Sequence, residues 1–403
     1  MSTIRNSKVL GSTLIIAGTT IGAGMLALPL ASAGIGFTTS LMIMFALWAL
    51  MAYTALLMIE VHQHAHKSAT LHTLASQFLG RKGKWLASFA MLFLFYALCA
   101  AYIAGGGAQF AERIDTLIGV NISATNATLL FTLVVASVVT IGTSTVDKVN
   151  RVLFGLKVVA MAIVLTFLAP NVTESYLLSM PVEQGLIIAA IPVIFTSFGF
   201  HGSIPAIVNY LDGHTPSLRK AIVIGSAIPL LIYVFWQLVT LGVVNQATLL
   251  ENQGLNALIS TLATTVHQSN LSQTIGVFAD LALLTSFLGV SLGLFEFLGD
   301  SLKQRGINSS RMSVGLVTFL PPMGFALFYP QGFITALGYA AIALVVLAIF
   351  LPIMMVKKAR SGTKQATYQV AGGNIALLVS TGVGIIIVTT QICITAGLLP
   401  SLG

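Results

Sequence analysis

Eleven apolar stretches, each about twenty residues long and separated by polar connections, constrain this chain more than any other feature. A helix needs about 20 apolar residues to cross a hydrocarbon layer roughly 30 Å thick. The stretches run approximately 9–32, 37–60, 86–111, 126–143, 151–170, 184–209, 219–243, 274–299, 312–329, 332–356 and 373–396. They are continuous, whereas the strands of a membrane barrel alternate in short segments, so the chain is predicted to be an all-α membrane protein with eleven transmembrane helices. With 56% of 403 residues hydrophobic and 7% charged, a cytosolic enzyme or a nucleic-acid binder is excluded. The net charge of +8 is then read as basic loops set against anionic lipid. Residues 1–403 form one transmembrane domain, with 61–85 and 244–273 as its longest polar connections.

Sorting the 19 Lys and Arg residues into alternate connections leaves only Arg113 on one side, with Arg305 and Lys364 among those on the other. This positive-inside bias predicts a cytoplasmic N-terminus, a periplasmic C-terminus and an inner-membrane location. The first stretch ends in Ala31-Ser32-Ala33, a cleavage-like pattern, but it is too long and too glycine-broken for a secretory leader. Cys99 and Cys393 lie in apolar stretches without metal spacing and are expected to pack as small hydrophobes. His62, His64, His66 and His72 are expected as solvated loop residues. The Asn-X-Ser/Thr matches at Asn121, Asn126, Asn171 and Asn270 decide nothing.

Two stretches carry helix breakers at mid-depth. The first holds Gly18-Thr19-Thr20-Ile21-Gly22-Ala23-Gly24 and then Pro29; the sixth holds Pro192, Phe195-Thr196-Ser197-Phe198-Gly199-Phe200-His201-Gly202 and Pro205. Glycine costs a helix about 1 kcal/mol and proline about 3 relative to alanine, and unwound backbone is tolerated at that depth only inside protein or beside a cavity. Glycine for close helix packing explains one such segment. Two of them, five spans apart and of opposite direction, fit an inverted five-plus-five repeat of a secondary transporter, in which half-helix ends hold a zwitterion.

Gly22-Ala23-Gly24 and Phe195-Thr196-Ser197-Phe198-Gly199-Phe200 resemble the first- and sixth-helix breaks of amino acid permeases with the LeuT-type fold. The longer segments Ala17–Pro29 and Ile191–Gly202, with Phe319-Leu320-Pro321-Pro322, resemble the aromatic and hydroxy amino acid permease family along nearly the whole chain. The resemblance implies repeats over approximately 9–170 and 184–356, discontinuous helices 1 and 6, and a peripheral helix at 373–396. It implies symport of an aromatic amino acid, tyrosine first and tryptophan or phenylalanine as alternatives, with no cofactor and no covalent chemistry. A channel or a membrane enzyme remains the rival; the latter needs a convergent catalytic constellation, and His201 has no evident acid partner in sequence. Oligomeric state is not legible.

The substrate carboxylate is expected at the N–H groups of Gly22, Ala23 and Gly24, and the ammonium at carbonyls near Thr19, Ile21 and Phe195. Ser197 and Gly199 belong to the same break, and Phe198, Phe200, Tyr96 and Tyr102 are candidate walls for the ring. His201 either reads a phenolic hydroxyl, carries a proton, or is a buried histidine satisfied by backbone. Gln109 is either a pathway residue or interhelical glue.

Lys157, about 10 Å into the fifth stretch, either titrates during the cycle or snorkels to the cytoplasmic face. The family resemblance places a proton-coupling lysine there. Gly18, Ile21, Ala282, Thr285 and Ser286 resemble the sodium site of the sodium-coupled branch, although helical Thr and Ser commonly bond back to a carbonyl one turn earlier. Proton coupling is ranked above sodium. Asp280 is a candidate proton relay or external vestibule residue; Glu296 and Asp300 are candidate gate or loop partners near the cytoplasmic end.

Overall fold

The computed structural model describes residues 2–251, 254–265, 269–304, 306, 309–362 and 366–402. Arg305 and Lys364 lie outside the described residues. Among the described residues all regular structure is helical. Among those residues, ten helices are long and apolar enough to cross a membrane, or eleven when the bent pair Asn6–Thr20 and Gly24–Ser32 counts as one span. The chain is a multi-pass membrane protein.

After that first span come Gly36–His62, the long helix Leu71–Ile118, Ala124–Ile141 and Thr143–Leu168 as spans two to five. The sixth consists of Gln184–Thr196 and Ile204–Tyr210, joined through a 3-10 turn at His201–Ser203. Thr215–Val243, Ser269–Gln304 and Arg311–Phe328 are spans seven to nine. The tenth, Phe333–Arg360, has a π-helical turn at Val346–Phe350 just before Pro352, whose missing N–H cannot continue the regular ladder. Gly373–Thr395 is the eleventh and packs on the sixth and tenth. Thr70, Ser123 and Ser310 each cap the helix that follows by accepting a backbone N–H three residues on.

Both long polar connections hold more structure than expected. Helix begins at Leu71, well inside 61–85, and turns at Gly80, whose φ of 66° only glycine adopts freely. The stretch 244–273 contains Gln246–Glu251 and Leu255–Thr265. Leu255, Leu258, Ile259 and Leu262 form one buried stripe, so this short helix covers the bundle end even though it is too short to register as a span.

The sixth and tenth spans are well enclosed, with 67% and 72% of their most apolar windows buried against 28% for the fifth. Where the N-terminal halves of odd-numbered spans begin, the ends of the second, seventh and tenth are tied together. Arg360 donates from Nε and Nη2 to the two oxygens of buried Glu60 at 2.6 and 2.8 Å. Glu60 also accepts from Val370 N–H at 3.0 Å. Gln63 pairs with both backbone groups of Tyr368, whose ring lies under Arg219 of the seventh span.

Candidate functional site

In the first span, Ile21 N–H closes the last regular turn on Ala17 O at 2.8 Å. The next helix starts with Met25 and Leu26 donating to Gly22 O and Ala23 O at 3.2 and 3.0 Å, and its axis turns by 52°. The N–H groups that open this helix lie at the break, and those of Met25 and Leu26 are used in its first turns. In the sixth span, Phe198 and Gly199 donate to Phe195 O and Thr196 O in short turns, and Pro205 opens the helix that resumes.

The breaks touch. Ser197 Oγ donates to Gly24 O at 3.0 Å, and a Cβ on Gly24 would stand 3.2 Å from Ser197 Cα. Glycine is needed there for close approach. Tyr233 of the seventh span places its hydroxyl 2.6 Å from Thr20 O and 2.9 Å from Ser197 O. One hydroxyl hydrogen thus serves a carbonyl from each break. Thr196 Oγ1 reaches Leu337 O at 3.0 Å, tying the sixth span to the tenth.

Lys157 is 2% exposed, so it does not snorkel. Its ammonium donates to Ile21 O at 2.9 Å and to Thr285 Oγ1 at 3.2 Å, and lies 4.7 Å from the Phe154 ring centre. Two groups of the sodium-like set therefore face an ammonium. Thr285 Oγ1 also bonds back to Leu281 O and Ala282 O; of the remaining members, Ser286 Oγ accepts from Ala23 N–H at 2.9 Å and Gly18 packs on Phe154. Of the three N–H groups expected to meet a carboxylate, Ala23's is thus taken by Ser286. A Cβ on Gly22 would stand 2.6 Å from the same Ser286 Oγ.

Phe195, Phe198 and Phe200 are fully buried, and Phe198 meets Tyr233 edge-on at 5.4 Å. Tyr102, on the third span, is buried. Gly199 faces Leu344, where a Cβ would come within 3.2 Å.

Several candidates lie elsewhere. Tyr96 donates to Val317 O of the ninth span at 2.7 Å and is drawn away from the breaks. Thr19 is exposed and bonds back to Ile15 O; its neighbour Thr20 supplies the carbonyl Tyr233 uses. His201 turns toward the second span, its Nε2 2.9 Å from Thr54 Oγ1 and its ring against Phe200. The partner is a side-chain hydroxyl, not backbone. Asp280 is paired with Arg113 Nε at 2.8 Å near the end of the third span, apart from the break contacts. Gln109 donates to Asn256 at 2.5 Å and joins the third span to the short helix Leu255–Thr265. Glu296 accepts from Thr143 Oγ1. His62, expected in a solvated loop, is buried and donates from Nδ1 to Met58 O at 2.7 Å, and His72 meets Ser88.

Sequence reasoning missed Tyr233 and Thr54, and nothing around either residue marks it. Gln237 was readable as an amide inside an apolar span; it donates to Ser32 Oγ at 2.6 Å, bracing the helix after the first break.

Residues 5–391 match the tryptophan/tyrosine permease family. The tyrosine-specific transport systems 1 and 2 of Haemophilus influenzae are 44% and 42% identical, the first covering 98% of this chain and 99% of the relative, the second 98% of each. The tryptophan-specific transport protein of the same organism is 34% identical over 96% of both chains. A family match across almost the full length, with relatives this similar over nearly the whole of both chains, means that the chain belongs to the tryptophan/tyrosine permease family.

Proposed function

We propose that this protein is a secondary active transporter importing an aromatic amino acid, L-tyrosine first, across the inner membrane by proton symport and alternating access. The cargo follows from the two most similar relatives described above, both tyrosine-specific transport systems. The architecture is read as the LeuT-type inverted repeat over 9–170 and 184–356, with discontinuous helices 1 and 6 and a peripheral helix at 373–396. The N-terminus is cytoplasmic and the C-terminus periplasmic.

The substrate carboxylate is placed at the N-terminal end of Gly24–Ser32, where the Gly22 and Gly24 N–H groups and the helix dipole favour an anion. In this reading the ammonium meets break carbonyls, Phe195 among them, and the ring lies among Tyr102, Phe198 and Phe200. Ser197 and Gly199 shape the floor.

The observation that carries the coupling is the Lys157 ammonium on Ile21 O and Thr285 Oγ1. A charged amine there pins the first break to the eighth span, where a sodium-coupled relative of the fold would use a cation. Loss of its proton weakens both contacts and frees the break to change shape. Proton coupling is thereby favoured over sodium at Gly18, Ile21, Ala282, Thr285 and Ser286.

The test is labelled tyrosine uptake into proteoliposomes, with proton and sodium gradients imposed separately and unlabelled aromatic competitors added. Accumulation should follow the proton gradient. In Lys157→Met it should be abolished while tyrosine counterflow persists. Accumulation driven by sodium alone, or retained proton-driven accumulation in Lys157→Met, refutes the coupling; tryptophan outcompeting tyrosine refutes the cargo.

A further inference from the structure

Residues 367–370, just ahead of the eleventh span, cross the ends of three other spans on the side that carries the N-terminus. Tyr368 donates its N–H to Gln63 Oε1 at 3.1 Å and accepts from Gln63 Nε2 at 2.9 Å. Thr367 Oγ1 donates to the same Gln63 oxygen at 2.8 Å. Val370 donates its N–H to Glu60 at 3.0 Å and accepts from Arg360 Nη2 at 3.4 Å. The Tyr368 ring lies 4.7 Å from the Arg219 guanidinium. A short non-helical strap is thus held to the second span by Glu60 and Gln63, to the seventh by Arg219 and to the tenth by Arg360.

Each of those three spans also holds a break. The second does so through Thr54 and His201, the seventh through Tyr233, and the tenth through Leu337 O, which accepts from Thr196. Glu60 is six residues beyond Thr54, about 9 Å along the same helix. Displacing the end of the tenth span from the second and seventh would therefore load the strap and the contacts on the sixth break together.

The chemistry of the strap suits a joint that opens. Gln63, Tyr368 and Arg360 are half-buried, and Thr367 and Arg219 are exposed, so water can take over their hydrogen bonds as they part. Glu60 is fully buried, but a buried carboxylate paired with a guanidinium gains little net over the two hydrated ions. An apolar seam of the same extent would lose its burial with nothing in exchange.

We propose that residues 367–370 are a reversible latch that holds the N-terminal side of the transporter closed, and that its release from Gln63 and Arg219 lets the tenth span swing away from the second and seventh. The inference rests on the alternating-access reading given above, and on neither the cargo nor the coupling ion.

Full-length protein with Cys99→Ala and Cys393→Ala carries spin labels at Lys67→Cys, beyond the second span, and at Lys358→Cys, near the end of the tenth, both exposed positions. Pulsed dipolar spectroscopy in lipid nanodiscs reads the label separation, and tyrosine counterflow is measured on the same variants. A main separation with a minor longer one is expected. Gln63→Ala with Tyr368→Ala, which leaves no buried charge unpaired, should raise the ratio of long to short about tenfold. Leu262→Ala, in the short helix at the other end of the bundle, should lower the thermal midpoint and leave that ratio unchanged. An unmoved ratio in the double variant overturns the latch, as does an equal rise in Leu262→Ala, which marks general loosening. A ratio that moves in a protein without tyrosine counterflow supports the latch and refutes the cargo; counterflow with an unmoved ratio refutes the latch and spares the cargo.

Discussion

Replacing Tyr233 by phenylalanine isolates the contact that joins the two breaks. The ring and its edge-on packing against Phe198 at 5.4 Å are kept, and only the hydroxyl goes. Thr20 O and Ser197 O, at 2.6 and 2.9 Å from it, are left at helix ends that supply no replacement donor. A buried acceptor stripped of its donor costs about 1–3 kcal/mol. The single hydroxyl hydrogen is shared, so the loss is counted once. That cost falls on the arrangement in which the breaks are held together, and 1.4 kcal/mol is about a tenfold change in its population. The expected result is a thermal midpoint lowered by a few degrees and a maximal rate of tyrosine counterflow reduced about tenfold, with the competitor ranking unchanged. Because no side chain that would wall the substrate has been altered, half-saturation should shift less than the rate. Counterflow and melting both identical to the unaltered protein would refute the claim that this hydroxyl couples the breaks.

Other perturbations test neighbouring contacts. Gly22→Ala would drive a methyl into Ser286 Oγ and should abolish uptake, whereas adding Ser286→Ala should recover part of it; a double variant no better than Gly22→Ala would place the obstruction elsewhere. Arg360→Leu leaves Glu60 buried without its bidentate partner, and a stability loss of about 3 kcal/mol is expected, read from the thermal midpoint of purified protein. An unchanged midpoint would mean that the clamp on spans two, seven and ten is already broken in the membrane. Thr54→Val removes the partner of His201 and should cost about 1–3 kcal/mol in stability without altering tyrosine's advantage over phenylalanine in competition. A changed ranking would return His201 to the reading of the substrate ring.

The spans were legible because apolar length is a local property. Gly22-Ala23-Gly24 and the run from Pro192 to Pro205 likewise announced their interruptions, since glycine and proline act on the helix that contains them. Lys157 was legible as an expensive charge at depth, but not its direction: snorkelling and burial begin from the same residue, and only the placement of Ile21 O and Thr285 Oγ1 separates them. Tyr96 and Tyr102 show the same limit on one helix. Six residues apart, they meet different surroundings: the first donates to the ninth span, while the second is buried without that contact.

The sequence by itself determined that the chain crosses a membrane about eleven times and where its helices fail. Those outcomes depend on hydrocarbon thickness and on the backbone preferences of single residues, which act within one stretch of chain. Tertiary structure alone decided that Ser197 meets Gly24, that Tyr233 holds both breaks, that Ser286 takes the Ala23 N–H, and that His201 faces Thr54. Each is a hydrogen bond between residues tens to hundreds of positions apart, and such a bond is set by the rotation and depth of two packed helices, which no local pattern encodes.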